Sequence, residues 1–270
     1  MYKLVDWVPL EKLDWAGLSE NPRAISLLER NMDKINWSRL SSNPNAIHLL
    51  ENNIEKVDWF RLSLNPNALH LIEKNIEKVE WSWVCANPNA LYLIEKNLKN
   101  IDWSWLSGNP NAIHMLEKHM DYIDWETMSG NKSAIHLIEH NLDKISGYFL
   151  SSNPNAIDIL ENNPDIIWWE TLSMNANAVH LLENNLDKID WRWLAINTNA
   201  LHLLKQNMAK VNWSFLSQNE SIFIYDYNSM RQHIYNSGLA EELMINRFHP
   251  RNIPKFDGWG FPTNFDDIEV

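Results

Sequence analysis

Asparagine stands at Asn21, Asn43, Asn65, Asn87, Asn109, Asn131, Asn153, Asn175, Asn197 and Asn219, ten occurrences spaced 22 residues apart without a slip. A pattern held in strict phase over that length describes a stack of equal units, each packing mainly on its neighbours. Six residues before each Asn comes a Trp, from Trp15 to Trp213, except at Gly147, where Tyr148 and Phe149 follow. The unit reads DWSxLSxNPNAIHLLEKNxDKI. It buries about six or seven apolar side chains, worth roughly 1.5–3 kcal/mol each, against about 1.5 kcal/mol of ordering entropy per residue. No single unit folds alone; stacking closes the balance.

Local chemistry predicts two short helices per unit. Asn43 is a favourable N-cap and Pro44 suits the first helical position, where a missing N–H costs nothing. That helix is expected to run to Glu51 or Asn52, with Asn53 as the left-handed residue that ends it. Asn36 and Asp58 cap a second helix opened by Trp37 or Trp59 and stopped by the next Asn-Pro. At about 100° per residue, Ala46, Ile47, Leu49 and Leu50 share one side, with Asn45, His48 and Asn52 opposite. Alanine recurs three residues after the phase Asn in nine units, Ile222 replacing it in the tenth, and lets neighbouring units approach closely. The predicted fold is all-α: an α-solenoid of ten 22-residue helix–turn–helix repeats over residues 14–219, with caps at 1–13 and 220–270.

Serine and aspartate cap helices about as well as asparagine, but only an amide both accepts and donates. Two readings of the ten asparagines follow. They form a ladder in which each caps its own helix and donates to a carbonyl of the next repeat, or they are plain caps preserved by duplication. Lys3–Leu4–Val5–Asp6–Trp7 echoes Lys34–Ile35–Asn36–Trp37 and reads as a half repeat covering the N-terminal face. After Asn219 the pattern dissolves into one or two helices broken at Gly238 and Pro250 and an irregular stretch from Asp257, a C-terminal cap or a docking element. Units seven and eight depart together, with Ser146–Gly147–Tyr148 and Asn163 to Trp169 marking a bend, a docking notch or simple drift.

Thirty-five acidic against 23 basic residues give a net charge of −12, which disfavours a nucleic-acid partner, since that surface must neutralise phosphates. One cysteine, Cys85, excludes an internal disulfide and reads as a small buried residue. Neither a signal peptide nor a membrane span is expected. His48, His70, His114, His136, His180 and His202 recur in phase, but ligands of one metal converge to about 2 Å whereas packed helices lie about 8–10 Å apart; the row is a surface face or part of a binding face. No phosphate loop, nucleophile elbow or metalloprotease motif is present, so neither catalysis nor a metal or cofactor is expected. Variation at a fixed address is more informative: two residues after the Trp phase come Arg39, Arg61, Trp83, Trp105, Trp193 and Phe215, with Gly17, Thr127, Phe149 and Thr171 between. Trp and Arg are enriched at binding hot spots, which makes this strip the expected partner surface unless it packs between helix layers.

The repeat WSxLSxNPNAIHLLExNxDKIDW, covering about Asp14 to Asn219, resembles a short repeat of giant nucleocytoplasmic large DNA viruses, the mimivirus and marseillevirus relatives especially. The tail around Glu241–Met244 and Phe248–Ile253 is similar to the ends of such viral proteins. Units six, eight and nine depart from the pattern, with Lys132, Ala176 and Thr198 in place of Pro. The resemblance implies a viral origin and transfers no functional residue. The expected function is a non-catalytic protein–protein interaction scaffold or adaptor binding a host or viral protein; the alternative is a structural component of the virion, minor capsid or tegument-like. Either places the chain in host cytoplasm or virion.

Overall fold

The computed structural model describes residues 2–242. Expectations placed on residues 243–270, including the break at Pro250, lie outside the described residues. The fold is an α-solenoid: short helices recur with the 22-residue period, and neighbouring helices pack in chain order.

One unit shows the logic. The Asp58 carboxylate accepts from the Arg61 N–H and starts the helix Trp59–Ser63, burying Leu62 and Ser63. Asn65 then makes a turn closed by the Ala68 N–H on its carbonyl, and the second helix spans Leu69–Lys74. That helix starts four residues past the Asn, not at the Pro. The reason is local: Asn65 Oδ1 accepts from the Asn67 N–H two residues on, an Asx turn that competes with a helical start. The expected left-handed ending is also corrected. Asn75 has φ −133 and ψ 41, and no non-glycine residue among those described has positive φ. Its side chain does the capping, Nδ2 donating to Leu71 O at 3.0 Å.

The two helix types form two layers. Successive Trp-led helices pack directly on one another, whereas successive second helices do not approach as closely. Arg61 Nη1 reaches Glu20 Oε1, two units back, at 3.8 Å. Side chains of alternate units converge only on a concave side, so the Trp-led helices are the inner layer. His48 and its equivalents face outward and reach only the adjacent unit, as in His48 Nε2 to Glu29 Oε1 at 2.9 Å. Between the layers lie Leu40, Ala46, Leu50 and their counterparts, without solvent exposure.

Within residues 4–224 the stack closes on itself. The helix Trp15–Glu20 packs against Trp213–Leu216, and each bond that links a unit to its predecessor links the first unit to the last. Asn21 Nδ2 donates to Ser217 O and Asn219 O at 3.0 Å, as Asn43 Nδ2 does to Ser19 O and Asn21 O. The Asp14 N–H donates to Ser217 Oγ at 2.8 Å, as the Asn36 N–H does to Ser19 Oγ. Lys12 lies over the Trp213 ring at 4.8 Å, as Lys34 lies over Trp15 at 4.6 Å. The expectation of open ends sealed by caps therefore gives way to a ring of ten units.

The tenth unit is composite. After Glu220–Ile222 the outer helix is replaced by β2 (Phe223–Tyr225), which pairs with β1 (Tyr2–Leu4). The linker that joins unit ten to unit one is the turn Leu10–Lys12, supplied by the N-terminal arm. Residues 4–13 thus complete a unit; Leu10 to Trp15, not Lys3 to Trp7, is the counterpart of Met32 to Trp37. A second compact grouping begins with Tyr2 and Lys3 and resumes at Tyr225. There Tyr2 stacks on Tyr225 at 4.8 Å. The Asp226 carboxylate, held below its ordinary range by hydrogen bonds from the Ser229 hydroxyl and N–H, caps the helix Tyr227–Asn236. Gly238, at φ 70, breaks it before Leu239–Glu242.

Candidate functional site: the inner wall of the ring

The wall stands on a polar frame whose buried side-chain donors and acceptors are all paired among the described residues. The ten buried asparagines form one closed row. Every Nδ2 donates to the carbonyl of the preceding Asn and to that of the residue two before it, at 2.9–3.1 Å. The bonds run to the preceding unit, not the next, while Oδ1 accepts from the N–H two residues on in its own turn.

Sequence reasoning missed three further rows. Asn45 Nδ2 donates to Pro22 O at 2.9 Å, and Asn67, Asn89, Asn111, Asn155, Asn177 and Asn199 repeat the bond. Ser41 Oγ donates to Trp37 O and accepts from the Asp58 N–H, bridging two units. Lysine ammoniums at the end of a unit cover the tryptophan that opens its inner helix, from Lys56 over Trp37 at 4.4 Å to Lys210 over Trp191 at 4.4 Å. The signal for each was the same 22-residue recurrence, unread because each row joins residues 17 or more positions apart along the chain.

Cys85 occupies the serine address. The Asp102 N–H points at its Sγ at 3.4 Å, and burial pushes the thiol above its ordinary value, with the Asp102 N–H acting against that rise. The exceptions in units seven and eight are one coupled exchange. Trp168 takes the space left at Gly147: a Cβ on Gly147 would meet the Ile166 carbonyl, and the Trp168 indole 3.0 Å away.

On this frame the variable address faces the concave side. Arg39 and Arg61 converge on one carboxylate, Glu20, at 3.0 and 3.8 Å. Trp83 lies between Phe60 and Trp105, with ring centroids 4.1 and 4.7 Å away; Phe60 and Trp105 are exposed, at 47 and 38%. Trp193 meets Phe215 edge-on at 5.5 Å and donates Nε1–H to Glu170 at 3.0 Å. Arg192 lies over Phe215 at 4.7 Å. Thr127 and Thr171 are absorbed into the frame, donating to Ser104 O and Tyr148 O at 2.7 Å. In a ring of ten, five units separate Trp83 from Trp193 and Trp105 from Phe215, so the two aromatic patches face each other across the bore.

The six in-phase histidines pair with a glutamate of the preceding unit on the outer wall, away from this strip. No cluster of metal-ligating side chains and no helix long and apolar enough to cross a membrane occurs among the described residues. Comparison with protein-family models, with curated proteins and with solved structures gives no match.

Proposed function

We propose that this protein is a non-catalytic interaction scaffold that receives a segment of a partner protein, host or viral, against the inner wall of its ring. The observation that carries the reading is where variation falls. The frame repeats nearly unchanged around the circle, while the inward address varies among Arg, Trp, Phe and Thr and sets aromatic side chains on two opposed arcs, exposed at Phe60 and Trp105 and half-buried at Trp193 and Phe215. Packed helices spaced about 8–10 Å apart put the ten inner axes on a circle of roughly 13–16 Å radius. Subtracting about 5–6 Å for the half-thickness of a helix leaves a bore roughly 15–20 Å across. That admits one helix or an extended segment and excludes a folded domain. The resemblance of the repeat to those of large DNA viruses supports action in an infected cell. The virion-component reading differs in one respect, that the chain would be abundant in particles.

The test places a photo-crosslinking residue at position 105 and compares infected-cell extracts with purified particles. A partner crosslinked through its own defined segment, and lost with Trp83→Ala plus Trp105→Ala in a still-folded ring, supports the scaffold. High copy number in particles without such a partner supports the virion component. A partner retained by the double variant, crosslinking elsewhere, overturns the inner-wall reading.

A further inference from the structure

Every linker opens with an apolar residue. From Leu10 through Ile54 and Leu98 to Leu186 and Met208, nine of the ten addresses carry a large side chain exposed by 37–62%, and Pro164 fills the tenth. Single exposed leucines need no explanation. One at the same address in nine of ten units sets a circle of apolar side chains around the ring, a regularity that scattered surface exposure does not produce. The helices run across both the stacking direction and the two layers, hence along the ring axis. Linkers, which cross from the outer layer to the inner, therefore lie at one end of the ring, and the Asn-Pro turns lie at the other. The turn end is lined by amides such as Asn45 and Asn67. The ends differ: one apolar, one polar.

We infer that the linker end docks a second copy of this chain, two rings meeting linker end to linker end about a two-fold axis. A circle of apolar groups is matched best by another such circle, and an isologous contact supplies it. With roughly 70 Å² of accessible surface per exposed side chain, the nine residues offer about 600 Å² per ring and about 1,200 Å² per pair, the lower bound for a stable interface. Charge agrees. The apolar residue is followed by an acid and then a lysine in most units, as in Ile54–Glu55–Lys56 and Leu142–Asp143–Lys144. Two flipped rings offset by part of a unit set acids against lysines, whereas an anionic lipid surface would face the acidic row. The inference does not depend on the inner-wall reading.

Sedimentation equilibrium of the full chain over roughly 1–100 µM tests it, beside the variant Ile54→Glu, Leu98→Glu, Leu142→Glu, Leu186→Glu. These positions are exposed, so helicity and melting should hold. The expected result is twice the chain mass for the native sequence and a dissociation constant raised at least about a hundredfold in the variant. A native monomer throughout the range overturns the inference, as does a dimer that the four glutamates leave intact. Native monomer that floats with phosphatidylcholine vesicles assigns the circle to lipid instead.

Discussion

Asn21 Nδ2 lies 3.0 Å from the carbonyl oxygen of Asn219, 198 positions along the chain. Asn43 makes the same bond to Asn21, its neighbour. One rule of contact thus holds around the whole circle, the unit-to-unit rotation returning the chain to its start after ten steps. Closure removes the two bare ends that an open solenoid must seal.

Replacing Asn109 by Asp keeps the volume and deletes a donor that serves Cys85 O and Asn87 O at 2.9 and 3.0 Å. A buried carboxylate facing two carbonyls should cost about 3–5 kcal/mol. Denaturant titration reads the loss. Acidification should recover part of it, since a protonated carboxyl can donate once and the folded state then binds the extra proton. A midpoint within error of the parent would remove the energetic role of the row.

Ala195 stands at the serine address and offers no acceptor to the Asn212 N–H. Ala195→Ser should add the missing rung and raise stability by about 0.5–1.5 kcal/mol. Cys85→Ser should be neutral to stabilising for the same reason. The native thiol, buried and held protonated, should react with iodoacetamide only as fast as the protein unfolds; rapid labelling of folded protein would contradict its place in the row.

Gly17 marks the seam. A Cβ there would lie 2.7 Å from Ser217 Cβ and 2.8 Å from Ser214 O, so Gly17→Ala should cost about 1–3 kcal/mol. Hydrogen exchange should locate the damage at the first and last units, with units four to six protected as before. Uniform loss of protection would place the strain elsewhere.

The Gly147–Trp168 exchange predicts coupling. Gly147→Trp alone should destabilise by about 2 kcal/mol or more, because the indole site is already occupied. In a Trp168→Asp background the same change should cost clearly less, a double-mutant coupling of at least about 1 kcal/mol. Additive effects would mean the two departures are independent.

The repeat, its phase, the inner helix capped by Asn36 or Asp58, and the buried Ala and Leu positions were legible because each depends on neighbours within a few residues. The Asn-Pro start and the Asn53 ending were misread: at both, an asparagine side chain replaces the backbone geometry that propensity suggests. Ring closure left a trace in Leu10 to Trp15, a spare linker at one end, matched by a missing one after Ile222. Its meaning depends on a small rotation per unit, which side-chain packing sets and no local pattern encodes. The inner strip was legible as variation at one address; that its two aromatic pairs oppose each other follows only from closure.

Distances between spin labels distinguish a closed ring from an open stack of units. In a Cys85→Ser background, one label goes to Glu11 and the second in turn to Asp33, Glu77, Asp121, Asp165 and Ala209, all exposed linker positions of the same phase. A closed ring predicts separations that rise to a maximum at 121 and fall again, with the pairs 11–33 and 11–209 equal. A separation that grows steadily out to 209 would describe an open solenoid with no contact between the first and last units.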